Sequence, residues 1–203
     1  MMHKLEFIFD IGSPNAYLSM QVLPQLCARY DVELVITPVL LGGIFKLTNN
    51  QPPMVAFGAI KNKPEYEMLE IKRFIEFHGI TAFKMNPHFP VNTLYLMRAM
   101  IVAQMMGRET DYLAAICKGM WEDGLKLDDS EVLDRFFNDH GFDADKMRTD
   151  MSSEDVKKKL MENTDNAVAR GCFGIPSFFF NGDLYFGKDR LIQIETLLSR
   201  APN

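Results

Sequence analysis

The sequence predicts an α/β protein in which a βαβ unit and a ββα unit are separated by a large all-helical insertion. Three observations carry this. An apolar run from Leu5 to Ile11, broken by Glu6 and Asp10, stops at Gly12. It gives way to Ala16, Tyr17, Met20, Leu23 and Cys27 at helical spacings, so a strand passes into a helix. Val32 to Pro38, rich in Val, Ile and Thr, is a second strand, and a crossover of this length makes the two parallel. Near the other end, Ser177–Phe180 and Leu184–Phe186 flank Asn181-Gly182, a strong signal for a tight hairpin turn.

The elements follow in order. Ser13-Pro14 opens the first helix, because serine accepts from the free N–H groups and proline suits the first helical position. Val39 to Lys46 and Thr48 to Pro53 carry a glycine pair and a proline pair and read as loop or short helix. From Met54 to about Ala169 only helices are predicted. Lys63 to Phe77 is amphipathic, with Tyr66, Leu69, Phe74 and Phe77 on one side, and Gly79 ends it. Lys84 to Val91 is an extended loop held by prolines. A helix runs from Asn92 through Met106, with Leu94, Met97, Ile101 and Met105 inward. Asp111–Trp121, Ser130–His140 and Ser153–Arg170 complete the block. Gly187–Arg190 opens the last helix, whose inner face is Leu191, Ile194, Leu197 and Leu198. There is no internal repeat and no low-complexity linker. Residues 41–169 therefore interrupt one discontinuous domain, residues 1–40 and 170–203. This is the plan of a thioredoxin-like fold with a helical insertion.

The chain has 203 residues, 47% of them hydrophobic, with 16 Phe and 14 Met, enough for a large core. Its net charge is −5 and it carries no basic stripe with interleaved aromatics, which argues against nucleic acid as a partner. No apolar run is long enough to span a membrane. Met-Met-His-Lys-Leu-Glu leads straight into a strand with no signal-peptide core, so a cytoplasmic location is expected. Cys27, Cys117 and Cys172 are odd in number and far apart, which fits reduced thiols. Cys27 and Cys117 fall on apolar helix faces. His3, His78, His88 and His140 show no metal-ligand spacing with them, so no metal is expected.

The chemistry centres on Ser13. Ser13-Pro14-Asn15-Ala16 has the spacing of Cys-Pro-x-Cys, the redox motif at this strand-to-helix junction in thioredoxin-like proteins, with both sulfurs gone. A hydroxyl remains at the positive end of a helix, where an anion is favoured. It either caps the helix alone or also steadies a thiolate brought by a cofactor. Gly174-Ile175-Pro176 precedes the third strand. It either simply starts that strand or presents free backbone groups to an extended peptide ligand. Cys172 lies just upstream and is read as a packed cysteine, with a monothiol role as the alternative.

Three segments carry a resemblance to a family: Phe9-Asp-Ile-Gly-Ser13-Pro-Asn-Ala-Tyr17, Leu41-Gly-Gly-Ile-Phe-Lys46 with Asn50-Gln-Pro-Pro53, and Phe186-Gly-Lys-Asp189-Arg190. Asn86-Pro-His-Phe-Pro-Val-Asn92-Thr93 and Met120-Trp121-Glu-Asp-Gly124 add to it. They are similar to 2-hydroxychromene-2-carboxylate isomerases and the related kappa-class glutathione transferases, in the thioredoxin-like group that includes the DsbA oxidoreductases. The resemblance implies a glutathione-dependent cis–trans isomerase acting on an aromatic unsaturated keto acid by reversible thiolate addition. The alternative is a kappa-like transferase that conjugates electrophiles. It implies Ser13 as the catalytic residue, hydrogen-bonded to the glutathione sulfur. It also implies Asn50, Lys63, Ile175, Phe186, Gly187, Lys188 and Asp189 as the glutathione site. Asp189 is expected to accept the glutamyl ammonium, and the Gly187 and Lys188 N–H groups its carboxylate. Lys46, Phe89 and Asn92 are implied on the substrate side, and a homodimer is expected.

Overall fold

The computed structural model describes residues 3–200. Strand β1 (His3–Phe9) leads into helix α1 (Pro14–Arg29) and strand β2 (Val32–Pro38). Eight helices follow: α2 (Leu41–Thr48), α3 (Pro53–Phe57), α4 (Lys63–His78), α5 (Leu94–Met105), α6 (Glu109–Trp121), α7 (Ser130–Asp139), α8 (Ala144–Met151) and α9 (Glu154–Ala169). Strands β3 (Ser177–Phe180) and β4 (Asp183–Phe186), a short 3-10 turn (Lys188–Arg190) and helix α10 (Leu191–Arg200) close the chain.

The four strands form one sheet in the order β2-β1-β3-β4. β1 runs parallel to β2, with Phe7 opposite Ile36, and antiparallel to β3, with Phe7 opposite Phe178. The Asn181-Gly182 turn between β3 and β4 has positive φ at both residues, 51° and 88°, as a two-residue primed hairpin requires. On one face Phe7 stacks on Phe178, with centroids 5.0 Å apart, and meets Phe9 edge to face at 5.4 Å. The predicted α/β class and thioredoxin-like βαβ…ββα order are therefore both present.

The insertion departs from the sequence reading in several places. Two helices were unforeseen. α3 is a single turn begun by Pro53. α8 is capped by Asp143 and buries Ala144, Met147 and Met151. On α4 only Phe74 is buried, while Tyr66, Leu69 and Phe77 are exposed, Phe77 by 78%. Amphipathicity records that an apolar stripe exists, not that the same chain covers it. Met105, the last residue of α5, is likewise exposed, and so is Leu197 on α10, which was expected on the inner face of that helix; only Leu191, Ile194 and Leu198 are buried there. Polar residues cap several of these helices: Ser13, Asp129, Asp143 and Ser153 each accept a backbone N–H of the following turn.

Candidate functional site

β1 delivers the chain to a tight turn at Gly12 and Ser13. Ser13 keeps extended dihedrals, φ −96° and ψ 118°, and its Oγ accepts from Ala16 N at 3.3 Å, the geometry of an N-cap. The same hydroxyl donates to the Ile175 carbonyl at 3.1 Å, across 162 residues of sequence. Serine at the cap and proline behind it thus explain both the helix start and the hydroxyl's direction. The first turn of α1 holds no acidic side chain, so its positive end is not neutralised by the helix itself.

The partner segment is residues 172–176. The Gly174 carbonyl accepts from Ser177 Oγ at 2.7 Å and Cys172 Sγ at 3.3 Å. Cys172 is buried, as expected of a packed cysteine. The Ile175–Pro176 peptide is cis. A Cβ on Gly174 would stand 2.9 Å from the Phe186 ring, so glycine is what lets that ring close over the segment. Phe186 also packs on Phe173, with centroids 4.5 Å apart. Asn50 Nδ2, just past α2, donates to the Phe173 carbonyl at 2.8 Å. Ser13, Asn50, Ile175, Phe186 and Gly187 therefore meet around one backbone segment. One expectation fails here: the Gly187 N–H donates to the Pro176 carbonyl at 2.9 Å, so it is not free for a carboxylate.

The remaining sequence candidates lie around this centre. Lys188 is buried, with Nζ 5.2 Å from the Phe74 ring centroid and 3.1 Å from Asp189 Oδ1, which leaves the other Asp189 oxygen toward solvent. Lys63 is paired within α4 to Glu67 at 2.6 Å and lies over the Phe57 ring. Lys46 is exposed on α2. Asn92 is exposed and accepts from Leu94 N at 3.0 Å, a local turn bond at the start of α5. Phe89 is half-buried against Trp121 at 5.9 Å.

Sequence reasoning missed two supports of the Ser13 turn. Trp121 is fully buried at the end of α6, and its Nε1 donates to the Ile11 carbonyl at 2.8 Å. Phe83 stacks on its ring, and Tyr17 donates to Glu122 at 3.0 Å. Burial, with the Glu122 carboxylate next in effect, pushes the Tyr17 phenol above its ordinary pKa. The second support is Asp10, which is completely buried. Oδ1 accepts from Gly12 N at 2.9 Å, and Oδ2 from Leu41 N at 2.7 Å and Thr93 Oγ1 at 3.1 Å. Burial pushes its carboxyl up from 3.8, against these three donors. A lone acid inside an apolar strand end was the available signal.

Comparison with known proteins follows the same lines. A 2-hydroxychromene-2-carboxylate isomerase from Pseudomonas putida is 25% identical over 200 residues, covering 97% of this chain and 94% of its own. A glutathione S-transferase kappa 1 from Rattus norvegicus is 26% identical over 209 residues, covering 96% and 90%. A solved structure of a 2-hydroxychromene-2-carboxylate isomerase superposes with a TM-score of 0.83 at 21% identity, covering 97% of this chain and 95% of the other. A probable DsbA oxidoreductase from Streptomyces coelicolor follows at 0.76 and 18%, covering 99% and 92%. The model of the DSBA-like thioredoxin domain matches residues 4–199, and with that match spanning nearly every residue the chain belongs to the DsbA-like thioredoxin family.

Proposed function

We propose that the protein is a glutathione-dependent cis–trans isomerase acting on an aromatic unsaturated keto acid of the hydroxychromene-carboxylate type. The observation that carries this reading is the Ser13–Ile175 pair: a helix-end hydroxyl, in place of a thiol, facing the backbone segment before Pro176. The residues present fit glutathione. Asn15 Oδ1, two residues beyond Ser13, is buried without a partner, an acceptor left open beside the turn. The α1 N-terminus carries no acid of its own, and Ala16 leaves no second sulfur to form a disulfide.

When bound, glutathione supplies a thiolate that adds reversibly to a conjugated double bond, so no net oxidation occurs. Ser13 holds a donor for that sulfur, and the end of α1 favours its negative charge. Ser13 is not itself the nucleophile, since its bonded neighbours are a backbone carbonyl and a backbone amide, not a base. Ile175 offers its carbonyl to the tripeptide backbone. The Ser13 hydroxyl occupies that carbonyl in the structure, so ligand binding entails turning the hydroxyl from Ile175 toward the sulfur. Asp189 takes the glutamyl ammonium with the oxygen that Lys188 leaves free. Lys63 reaches the glycyl carboxylate once its pair with Glu67 opens. Lys46 is assigned to the substrate carboxylate, and Phe89 and Asn92 to its aromatic end. We further propose a cytoplasmic homodimer. The exposed Met54, Val55 and Phe77 of α3 and α4 and the three free, buried cysteines support it.

The kappa-class relative is as similar as the isomerase, so transferase activity is the second reading. The test is paired. Glutathione at a hundred times its dissociation constant should stabilise the fold by about 2.7 kcal/mol. The glutathione-loaded protein should isomerise a hydroxychromene carboxylate faster than it conjugates a chloronitrobenzene. Faster conjugation selects the transferase. A melting temperature unmoved by glutathione contradicts both.

A further inference from the structure

Asp10 has no part in the chemistry above, yet the segments that lead into three helices each donate to its carboxylate: Gly12 N before α1, Leu41 N at the start of α2 and Thr93 Oγ1 before α5. On the α1 side it accepts from Gly12 N, and the Asp10 carbonyl accepts from Ser13 N at 3.2 Å. On the α2 side it accepts from Leu41 N, the first helical residue. The cap residue there, Leu40, has no oxygen to offer, so Asp10 supplies the cap from another element. On the α5 side, Thr93 occupies the cap position but makes no capping bond to its own helix; its hydroxyl is turned to Asp10 instead. The junction is tight: a Cβ on Gly12 would stand 3.1 Å from Thr93 Cγ2 and 3.3 Å from Asp10 Oδ1.

These three segments are functionally unlike. The α1 turn carries Ser13. The α2 helix carries Lys46, and the segment entering α5 carries Phe89 and Asn92. We propose that Asp10 is a positioning residue whose carboxylate fixes the glutathione turn against the two segments that hold the second substrate. This rests on the function proposed above. The Ser13 turn has independent anchors, Trp121 on Ile11 and Ile175 on Ser13. Leu41 at the start of α2 and Thr93 at the cap of α5 are bonded to this strand end through the Asp10 carboxylate, at 2.7 and 3.1 Å. Loosening the clasp therefore affects registry between the half-sites more than glutathione binding itself. A buried carboxylate facing three donors resists replacement, because an amide nitrogen at either oxygen position would face a backbone N–H.

The test uses Thr93, the one donor that can be removed without touching backbone. Thr93→Val keeps the shape and deletes the hydroxyl, and Thr93→Ser restores it. Asp10→Asn is the harsher companion. The assay is hydroxychromene-carboxylate isomerisation, or chloronitrobenzene conjugation if that is the faster reaction. Glutathione binding is read separately from the fluorescence of Trp121, the single tryptophan. Thr93→Val should lower kcat/KM for the second substrate, by up to roughly a hundredfold for a misplacement of about 1 Å. Half-saturation by glutathione should stay within a few-fold of the parent, and Thr93→Ser should recover most of the turnover. Unchanged turnover in Thr93→Val overturns the proposal. So does a parallel loss of glutathione affinity and turnover, which marks a merely structural role, or a Ser variant as poor as Val. Failure of the parent protein to bind glutathione is a separate result, and it removes the proposed function itself.

Discussion

Replacing Ser13 separates its two roles, because alanine and glycine treat them differently. Both delete the hydroxyl that donates to Ile175 at 3.1 Å and accepts from Ala16. Losing a serine cap to alanine costs about 1 kcal/mol, and to glycine only a few tenths. Losing the hydroxyl–carbonyl bond costs about 1 kcal/mol in either variant. Ser13→Ala should therefore be destabilised by about 2 kcal/mol, or ~4–8 °C in a chain of this size, and Ser13→Gly by roughly two-thirds of that. Catalysis should not follow this order. A hydrogen bond to a charged group contributes about 1.5–3 kcal/mol, which raises the bound thiol's pKa by about 1–2 units when it is lost. Both variants lose that bond equally, so both should lose turnover equally. The assays are thermal unfolding by circular dichroism and steady-state turnover at saturating glutathione. If turnover tracks stability, with glycine retaining near-parental rates, Ser13 is a cap and nothing more.

Other outcomes follow from single contacts. Trp121→Phe removes the donor to the buried Ile11 carbonyl and should cost about 2–4 kcal/mol in urea unfolding, with weakened glutathione affinity. Gly174→Ala places a methyl 2.9 Å from Phe186, which must swing away; about 1–3 kcal/mol of stability should be lost, readable as a lower denaturation midpoint. Burial pushes the Cys27 thiol up to about 11 and Cys117 up to about 12. With Cys172 also buried, a disulfide reagent at neutral pH should label none of the three until the chain unfolds. The same shifts make the folded thiols hold protons that the unfolded ones release above about pH 9. Stability should accordingly fall as pH rises through the window from 9.0 toward 11.

Much of this was legible because local chemistry wrote it. The Ser13-Pro14 cap, the Asn181-Gly182 turn and the polar start at Ser153 each need only neighbouring residues to be read. The gathering of Asn50, Ile175 and Phe186 around Ser13 was legible only through family resemblance, since these positions are distant in sequence. What escaped notice depends on tertiary context. Whether Phe77 is covered, whether the Gly187 amide is free, and what a lone Asp10 contacts are all decided by segments far along the chain. Asp10 and Trp121 carry no motif of their own, and their partners are mostly backbone atoms, which a sequence does not distinguish.

The most direct measurement is a crystal structure of the protein with bound glutathione. The cysteinyl sulfur should lie within hydrogen-bonding distance of Ser13 Oγ at the start of α1, with the cysteinyl backbone paired to Ile175. A tripeptide seated elsewhere, or a sulfur turned away from that hydroxyl, would contradict the proposed function.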